Sequence, residues 1–121
     1  MKTLYAREMV RRCALNYPNK KAYVCGTRSA TWAQMHERSD RFAKVLQDMG
    51  IRRGHTVSIL SQEAIEVYEH MFASLKLVTT RVGVNTLYAW PEMKHVLADS
   101  RTKVLMVDAR VRKLIDERRA E

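Results

Sequence analysis

Between Thr31 and Leu60 the chain strings together one long amphipathic helix, a glycine stop and a short β-branched strand, and this order constrains the fold more than any other feature. Thr31 stands where an N-cap belongs. Gln34, three residues on, completes a capping box: the hydroxyl accepts from one free backbone N–H and the side-chain amide reaches back to another. Met35, Phe42, Val45, Leu46 and Met49 recur at three- and four-residue intervals, which predicts an apolar face on a helix running to Met49. Gly50 is the residue type that closes such a helix in left-handed backbone. Ile51 is expected to pack back on the helix end, and Arg52-Arg53-Gly54 to turn the chain. Thr56–Leu60 then reads TVSIL, a continuous run of the kind buried in a parallel sheet.

The flanks extend this pattern. Leu4 to Leu15 has helical spacing, with Met9, Val10, Cys13 and Ala14 on its apolar side, and Asn16-Tyr17-Pro18-Asn19 stops it. Lys20–Cys25 and Arg28–Thr31 read as a hairpin around Gly26-Thr27. Past the TVSIL strand, Ser61 is the expected cap of a helix that carries Ala64, Ile65, Val67, Tyr68, Met71, Phe72 and Leu75 on a wide apolar stripe. Leu77–Val84 reads as a strand, and Pro91 opens a short helix buried through Met93, Val96 and Leu97. Lys103–Val107 is a third apolar strand, and Asp108 is the expected cap of a last helix with Val111, Leu114 and Ile115 inward. Residues 116–121, charged apart from Ala120, are expected to fray. Alternating strands and helices predict an α/β fold: a mostly parallel sheet with crossover helices, preceded by an N-terminal helix and a β-hairpin. No linker divides the chain, so residues 1–121 read as a single domain.

Composition narrows the function. No stretch of about 18 apolar residues exists, which reads against a membrane span. Charges interrupt the N-terminus, which reads against a signal peptide and for a cytoplasmic protein. The formal net charge of +9 invites a nucleic-acid reading, but the cations are dispersed and no aromatic-interleaved basic patch accompanies them. Cys13 and Cys25 read as two buried reduced thiols.

Residues that could carry chemistry do not assemble into a motif. The four glycines, Gly26, Gly50, Gly54 and Gly83, form no phosphate-binding loop. Gly50 and Gly54 fall in a helix-to-strand turn, the opposite side of a parallel strand from phosphate sites. His36, His55, His70 and His95 show no metal-ligand spacing. His36/Asp40 and Glu66/His70 read as exposed helix ion pairs. No serine sits in a nucleophile elbow. Met35, Met49 and Met71 read as core. The sequence therefore yields no catalytic, cofactor-binding or metal-ligating residue.

Four segments in order resemble the opening of the adenylate-forming superfamily: acyl-CoA synthetases, aryl-CoA ligases, luciferases and peptide-synthetase adenylation domains. NYPNKKAYV resembles that family's entry into its hairpin. ATWAQMHERSDRFAKVLQDMGIRRGHTVSIL resembles its long helix, glycine turn and strand. EAIEVYEHMFASLKLVTTRVGVNTLY and PEMKHVLADSRTKVLMVD resemble the two units after it. The likeness covers roughly Asn16 to Asp108. His55 stands where the family has Asp, Val78-Thr79 where it has Gly-Ala, Gln62 near a common Asn, and Ala89-Trp90 where small polar residues are usual.

The resemblance implies the N-terminal scaffold of an ATP-dependent acyl- or aryl-CoA synthetase, an acid–thiol ligase of fatty-acid metabolism. In the complete enzyme ATP and magnesium drive carboxylate adenylation and then thioester formation. The family's phosphate loop, adenine and ribose contacts and catalytic lysine match no position here, so the chain is expected to be inactive alone and to bind no cofactor. Its partner would be the remainder of the synthetase. Two alternatives remain open: a free-standing, self-associating module of the same fold, or a small basic nucleic-acid-binding protein.

Overall fold

The computed structural model describes residues 5–121. Leu4, the expected start of the first helix, lies outside them. A short turn of 3₁₀ helix, Ala6–Glu8, leads into α1 (Met9–Asn16). Then come β1 (Lys21–Cys25), β2 (Arg28–Thr31), α2 (Trp32–Asp48), β3 (Thr56–Leu60), α3 (Ile65–Leu77), β4 (Thr80–Val84), α4 (Trp90–Asp99), β5 (Thr102–Val107) and α5 (Arg112–Asp116). β1 and β2 form an antiparallel hairpin. β4, β3 and β5 form a parallel sheet in that order, with β3 in the middle. The expected architecture is the one observed.

β3 is central because its sequence leaves it nowhere else to go. Val57, Ser58, Ile59 and Leu60 are all buried. Val57 packs with Ala43, Leu46, Ile51 and Ala73 on the side of α2 and α3. Leu60 packs with Val84 and Met93 on the side of α4. Ser58, buried on the α4 side, is satisfied by Thr102 Oγ1 at 2.6 Å, which Ser100 meets in turn at 2.7 Å. A third cluster, Val10, Ala30, Met35, Ile65 and Phe72, joins α1 and the hairpin to the helical pair.

The ends of α2 form as the sequence dictates. The Gln34 N–H donates to Thr31 Oγ1 at 3.2 Å, and the Thr31 N–H donates to Gln34 Oε1 at 2.9 Å. At the other end Gly50 takes φ +88°, and the Gly50 and Ile51 N–H groups donate to the carbonyls of Gln47 and Leu46. Ile51 is buried against Leu46, completing a Schellman motif with its apolar contact.

Several local expectations fail for identifiable reasons. Val45 and Met49 are not on the buried face: they are 52% and 59% exposed. The buried stripe of α2 runs Met35, Ser39, Ala43, Leu46, with Phe42 at its edge. Small residues at 39 and 43 let α3 approach, which turns 45 and 49 outward. Leu77–Thr79 is not strand; α3 extends to Leu77 and a turn precedes β4. Neither Ser61 nor Asp108 caps a helix, because the two side chains bond each other at 3.3 Å and both helices start later. Met9 is exposed. Cys25 is exposed at the end of β1, on the hairpin, and Cys13 on α1 is half-buried.

α3 ends in the same way as α2 but with the wrong residue type. Val78 adopts φ +56°, ψ +47°, and the Thr79 N–H donates to the Ser74 carbonyl at 3.0 Å. A β-branched side chain in left-handed backbone is strained, and glycine is not. Val78 is 41% exposed, so its removal leaves little cavity. Val78→Gly is therefore expected to raise the unfolding free energy by about 1 kcal/mol, the strain relief exceeding glycine's entropic cost. Urea titration of the two proteins checks this; an unchanged or lower midpoint would mean that the turn is unstrained.

Candidate functional site

The carboxyl ends of parallel strands are where α/β folds place ligands, because successive strand-to-helix turns diverge there. Here that edge opens into a cleft of about 530 Å³. Ser61 enters it from the end of β3, Asp108 and Arg110 from the end of β5, Cys25 and Arg28 from the hairpin, and Glu63 and Glu66 from the start of α3.

Among the described residues, most of the charges around the cleft are matched; Glu63 is the carboxylate there that meets no cation. Asp108 accepts from the Arg110 backbone N–H at 2.9 Å and from the Arg110 guanidinium, with Ser61 Oγ donating at 3.3 Å. The guanidinium holds the Asp108 carboxyl well below the usual carboxylate range. Arg28 grips Glu66 through two bonds of 2.6 and 3.2 Å and lowers its pKa as well. Arg38 adds a second cation 4.0 Å from Glu66 and also pairs with Glu69. Nearby, the Tyr23 and Tyr68 rings meet at 4.7 Å, tilted by 48°, and the Tyr23 hydroxyl reaches Glu63 at 3.5 Å. Desolvation pushes the Tyr23 phenol up to about 12, with Cys25 and Glu63 adding to it. The result is a polar socket with fixed charges. Asp108 and Glu66 are thereby held by arginines, while the Cys25 thiol and the Glu63 carboxylate also line the cleft.

The residues singled out in the sequence are scattered. His36 and Asp40 do approach, Nε2 to Oδ2 at 3.5 Å, but both belong to a larger arrangement around Lys76. The half-buried Lys76 ammonium reaches His36 Nδ1 and carbonyl at 3.0 Å, and Ser39 Oγ and Asp40 Oδ1 at 2.7 Å. Glu66 and His70 do not pair. Glu66 belongs to Arg28, while His70 is buried, 1% exposed, against Phe42. His70 Nδ1 accepts from Arg81 Nε at 3.2 Å, and its Nε2 has no partner. His55 Nδ1 accepts from the Arg52 N–H at 3.2 Å, supplying the acceptor that an aspartate would provide in that turn. His95 is exposed on α4. Gly50 and Gly54 lie at the amino end of β3, away from the cleft. Among the described residues no group of three or more His, Cys, Asp or Glu side chains is placed to hold a metal. The cleft itself escaped the sequence reading. An Asp-x-Arg directly after an apolar strand was its one local signal; the Arg28–Glu66 pair spans 38 positions and had none.

Comparison with known proteins gives a consistent picture. The family model of the AMP-binding enzyme matches residues 10–121. A fatty acid–[acyl-carrier-protein] ligase, ScoC of Streptomyces coeruleorubidus, is 35% identical over 78% of this chain and 18% of its own length. The long-chain-fatty-acid–CoA ligase FadD13 of Mycobacterium tuberculosis is 34% identical over 93% of this chain and 23% of its own. The crystal structure of the N-terminal domain of FACL13 from Mycobacterium tuberculosis superposes with a TM-score of 0.91 at 32% identity. It covers 98% of this chain and 31% of that one. The chain thus spans less than a quarter of the length of either of these two curated relatives.

His70 gives this region a measurable acid response. Burial, with Arg81 adding to it, lowers its pKa from 6.5 to about 4. Below the unfolded value the unfolded chain takes up a proton that the native imidazole refuses. The stability present above pH 6.5 is therefore lost as the pH falls towards 4. Between pH 7 and pH 5 the loss from this group is expected to be about 2 kcal/mol. In His70→Leu, urea midpoints at the two pH values should draw together; an undiminished gap would assign the acid response to other groups.

Proposed function

This chain belongs to the AMP-binding enzyme family, and from that premise we propose that it is the N-terminal scaffold of an ATP-dependent acyl- or aryl-CoA synthetase. On this reading residues 1–121 form one unit of the synthetase's large domain, and the enzyme is cytoplasmic. Among the described residues no helix is long and apolar enough to cross a membrane. In the complete enzyme a carboxylate attacks the α-phosphate of ATP, releasing pyrophosphate and leaving an acyl-adenylate. A thiol then displaces AMP. The acid and the thiol are those of the complete protein.

One observation carries the assignment: the N-terminal domain of FACL13 from Mycobacterium tuberculosis superposes on nearly the whole chain. A magnesium ion would need several free carboxylate oxygens. Asp108 and Glu66 are each engaged by an arginine, which leaves Glu63 alone in the cleft, so these residues do not fit the ion. What the chain supplies is a wall: a parallel sheet with its carboxyl edge presented as a socket for further polypeptide.

A second reading, association of two copies, is favoured by β5. It is an edge strand with a free row of backbone groups, and Leu105, Met106 and Val107 on it are only half-buried. Sedimentation equilibrium across a range of concentrations decides between monomer and dimer.

The scaffold reading predicts that the purified chain shows no heat of binding with ATP and magnesium in calorimetry. Joined in frame to the C-terminal remainder of a synthetase of this family, it should support exchange of labelled pyrophosphate into ATP in the presence of a carboxylic acid. Nucleotide binding by the chain alone with micromolar affinity would overturn the reading.

A further inference from the structure

The charges at the carboxyl edge of the sheet leave one group over. Arg28 and Arg110 line the cleft, and each is committed to a carboxylate, Glu66 and Asp108 respectively. Those two pairs cancel. Glu63, in the turn before α3, lines the same cleft and meets no cation among the described residues. Its partner is the Tyr23 phenol at 3.5 Å, which stays neutral because desolvation pushes it up to about 12. The unmatched charge of the cleft is therefore one carboxylate. Between the charges the walls are apolar: Ile65 comes from the first turn of α3, and Met106 and Val107 from the end of β5.

This combination narrows the occupant. An anion would have to draw Arg28 or Arg110 off a carboxylate that each holds by at least two bonds. A hard metal ion would find a single free carboxylate where it needs several oxygens. A side chain with an aliphatic stem and a terminal cation suits both features, the stem against the apolar walls and the charge on Glu63. At about 530 Å³ the cleft has room for more than one side chain. The surface beside it also calls for polypeptide. Leu87, in the loop that follows β4 at the same edge of the sheet, is 88% exposed, and its neighbour Tyr88 is 40% exposed. An Asx turn fixes that loop: Asn85 Oδ1 accepts from the Leu87 N–H at 2.9 Å, and the Asn85 carbonyl accepts from the Tyr88 N–H at 3.2 Å. Two apolar side chains held in water beside an apolar cleft mark a surface that further protein covers. ScoC and FadD13 each hold most of their length outside the segment that matches this chain.

We infer that the cleft receives a basic side chain of an apolar polypeptide segment, its stem along Ile65, Met106 and Val107 and its cation on Glu63. That the segment belongs to the remainder of a synthetase rests on the scaffold reading; the cleft's preference for a basic side chain does not. Cys25 lines the cleft from the hairpin, so an occupant covers its thiol. Cys13, on α1, does not line the cleft and serves as an internal standard.

Alkylation by iodoacetamide, followed at each cysteine by mass spectrometry, tests it. The probes are two blocked pentapeptides: Ala-Leu-Lys-Val-Ala, and the same peptide with norleucine in place of lysine. The lysine peptide is expected to slow the reaction at Cys25, to leave Cys13 unchanged, and to bind about fivefold more tightly than the norleucine peptide, the scale of a partly exposed ion pair. In Glu63→Gln, an exposed position whose exchange leaves the core untouched, the two affinities should come together. Four results would overturn the inference: no protection by the lysine peptide up to its solubility limit, equal protection by the norleucine peptide, a preference for lysine that survives in Glu63→Gln, or equal protection by n-butylamine, which would make the cleft a site for free amines. The chain joined to a synthetase remainder separates this inference from the assignment. If the joined protein exchanges pyrophosphate while Cys25 reacts as fast as in the chain alone, the docking fails and the assignment stands. If Cys25 is shielded and no exchange occurs, the docking stands and the assignment fails.

Discussion

Burial of β3 on both faces is the constraint from which the rest of the structure follows. A strand with Val57 and Ile59 on one side and Leu60 on the other can be stable only if both sides are covered. The chain meets that demand with α2 and α3 on one face and α4 on the other. Parallel neighbours then require crossovers, and the helices that cover the faces are also the connections. Even the polar member of the strand conforms: Ser58 sits in the interior and is satisfied by Thr102 of the adjacent strand.

How much of this could be read in advance depends on the range over which each feature is encoded. The capping box at Thr31 and Gln34, the glycine at 50 and the apolar strand at 56–60 are fixed by residues within a turn or two of one another, and they stand where the sequence puts them. The burial of α2 was only partly legible. Val45 and Met49 satisfy helical periodicity as well as Met35 and Leu46 do; what places them outside is the close approach of α3 over Ser39 and Ala43. Two plausible helix caps, Ser61 and Asp108, were spent on each other because β3 and β5 end side by side. His70 looked like an exposed partner of Glu66 until Arg28, from the hairpin, claimed the carboxylate.

The two ends of the sheet now carry opposite bookkeeping of charge. At the carboxyl end Arg28, Arg38 and Arg110 each meet a carboxylate, and the pairs fix the walls of the cleft. At the amino end Arg52, Arg53, Arg101 and Lys103 meet none among the described residues. Pairing between side chains far apart in sequence thus separates the two ends of the sheet in a way the sequence did not show, although Arg12, Lys20, Lys21 and Lys94 also lie outside the ion pairs of the described residues.

Lys76 ties the two long helices together. Its three N–H groups are shared among His36, Ser39 and Asp40, all on α2, while its own backbone belongs to α3. Arg38 reaches the other way, from α2 to Glu69 on α3. Two reciprocal clasps of this kind remove the freedom of either helix to slide or roll without the other. The pair acts as a single rigid beam, and whatever displacement the molecule makes in use must be taken up at its turns.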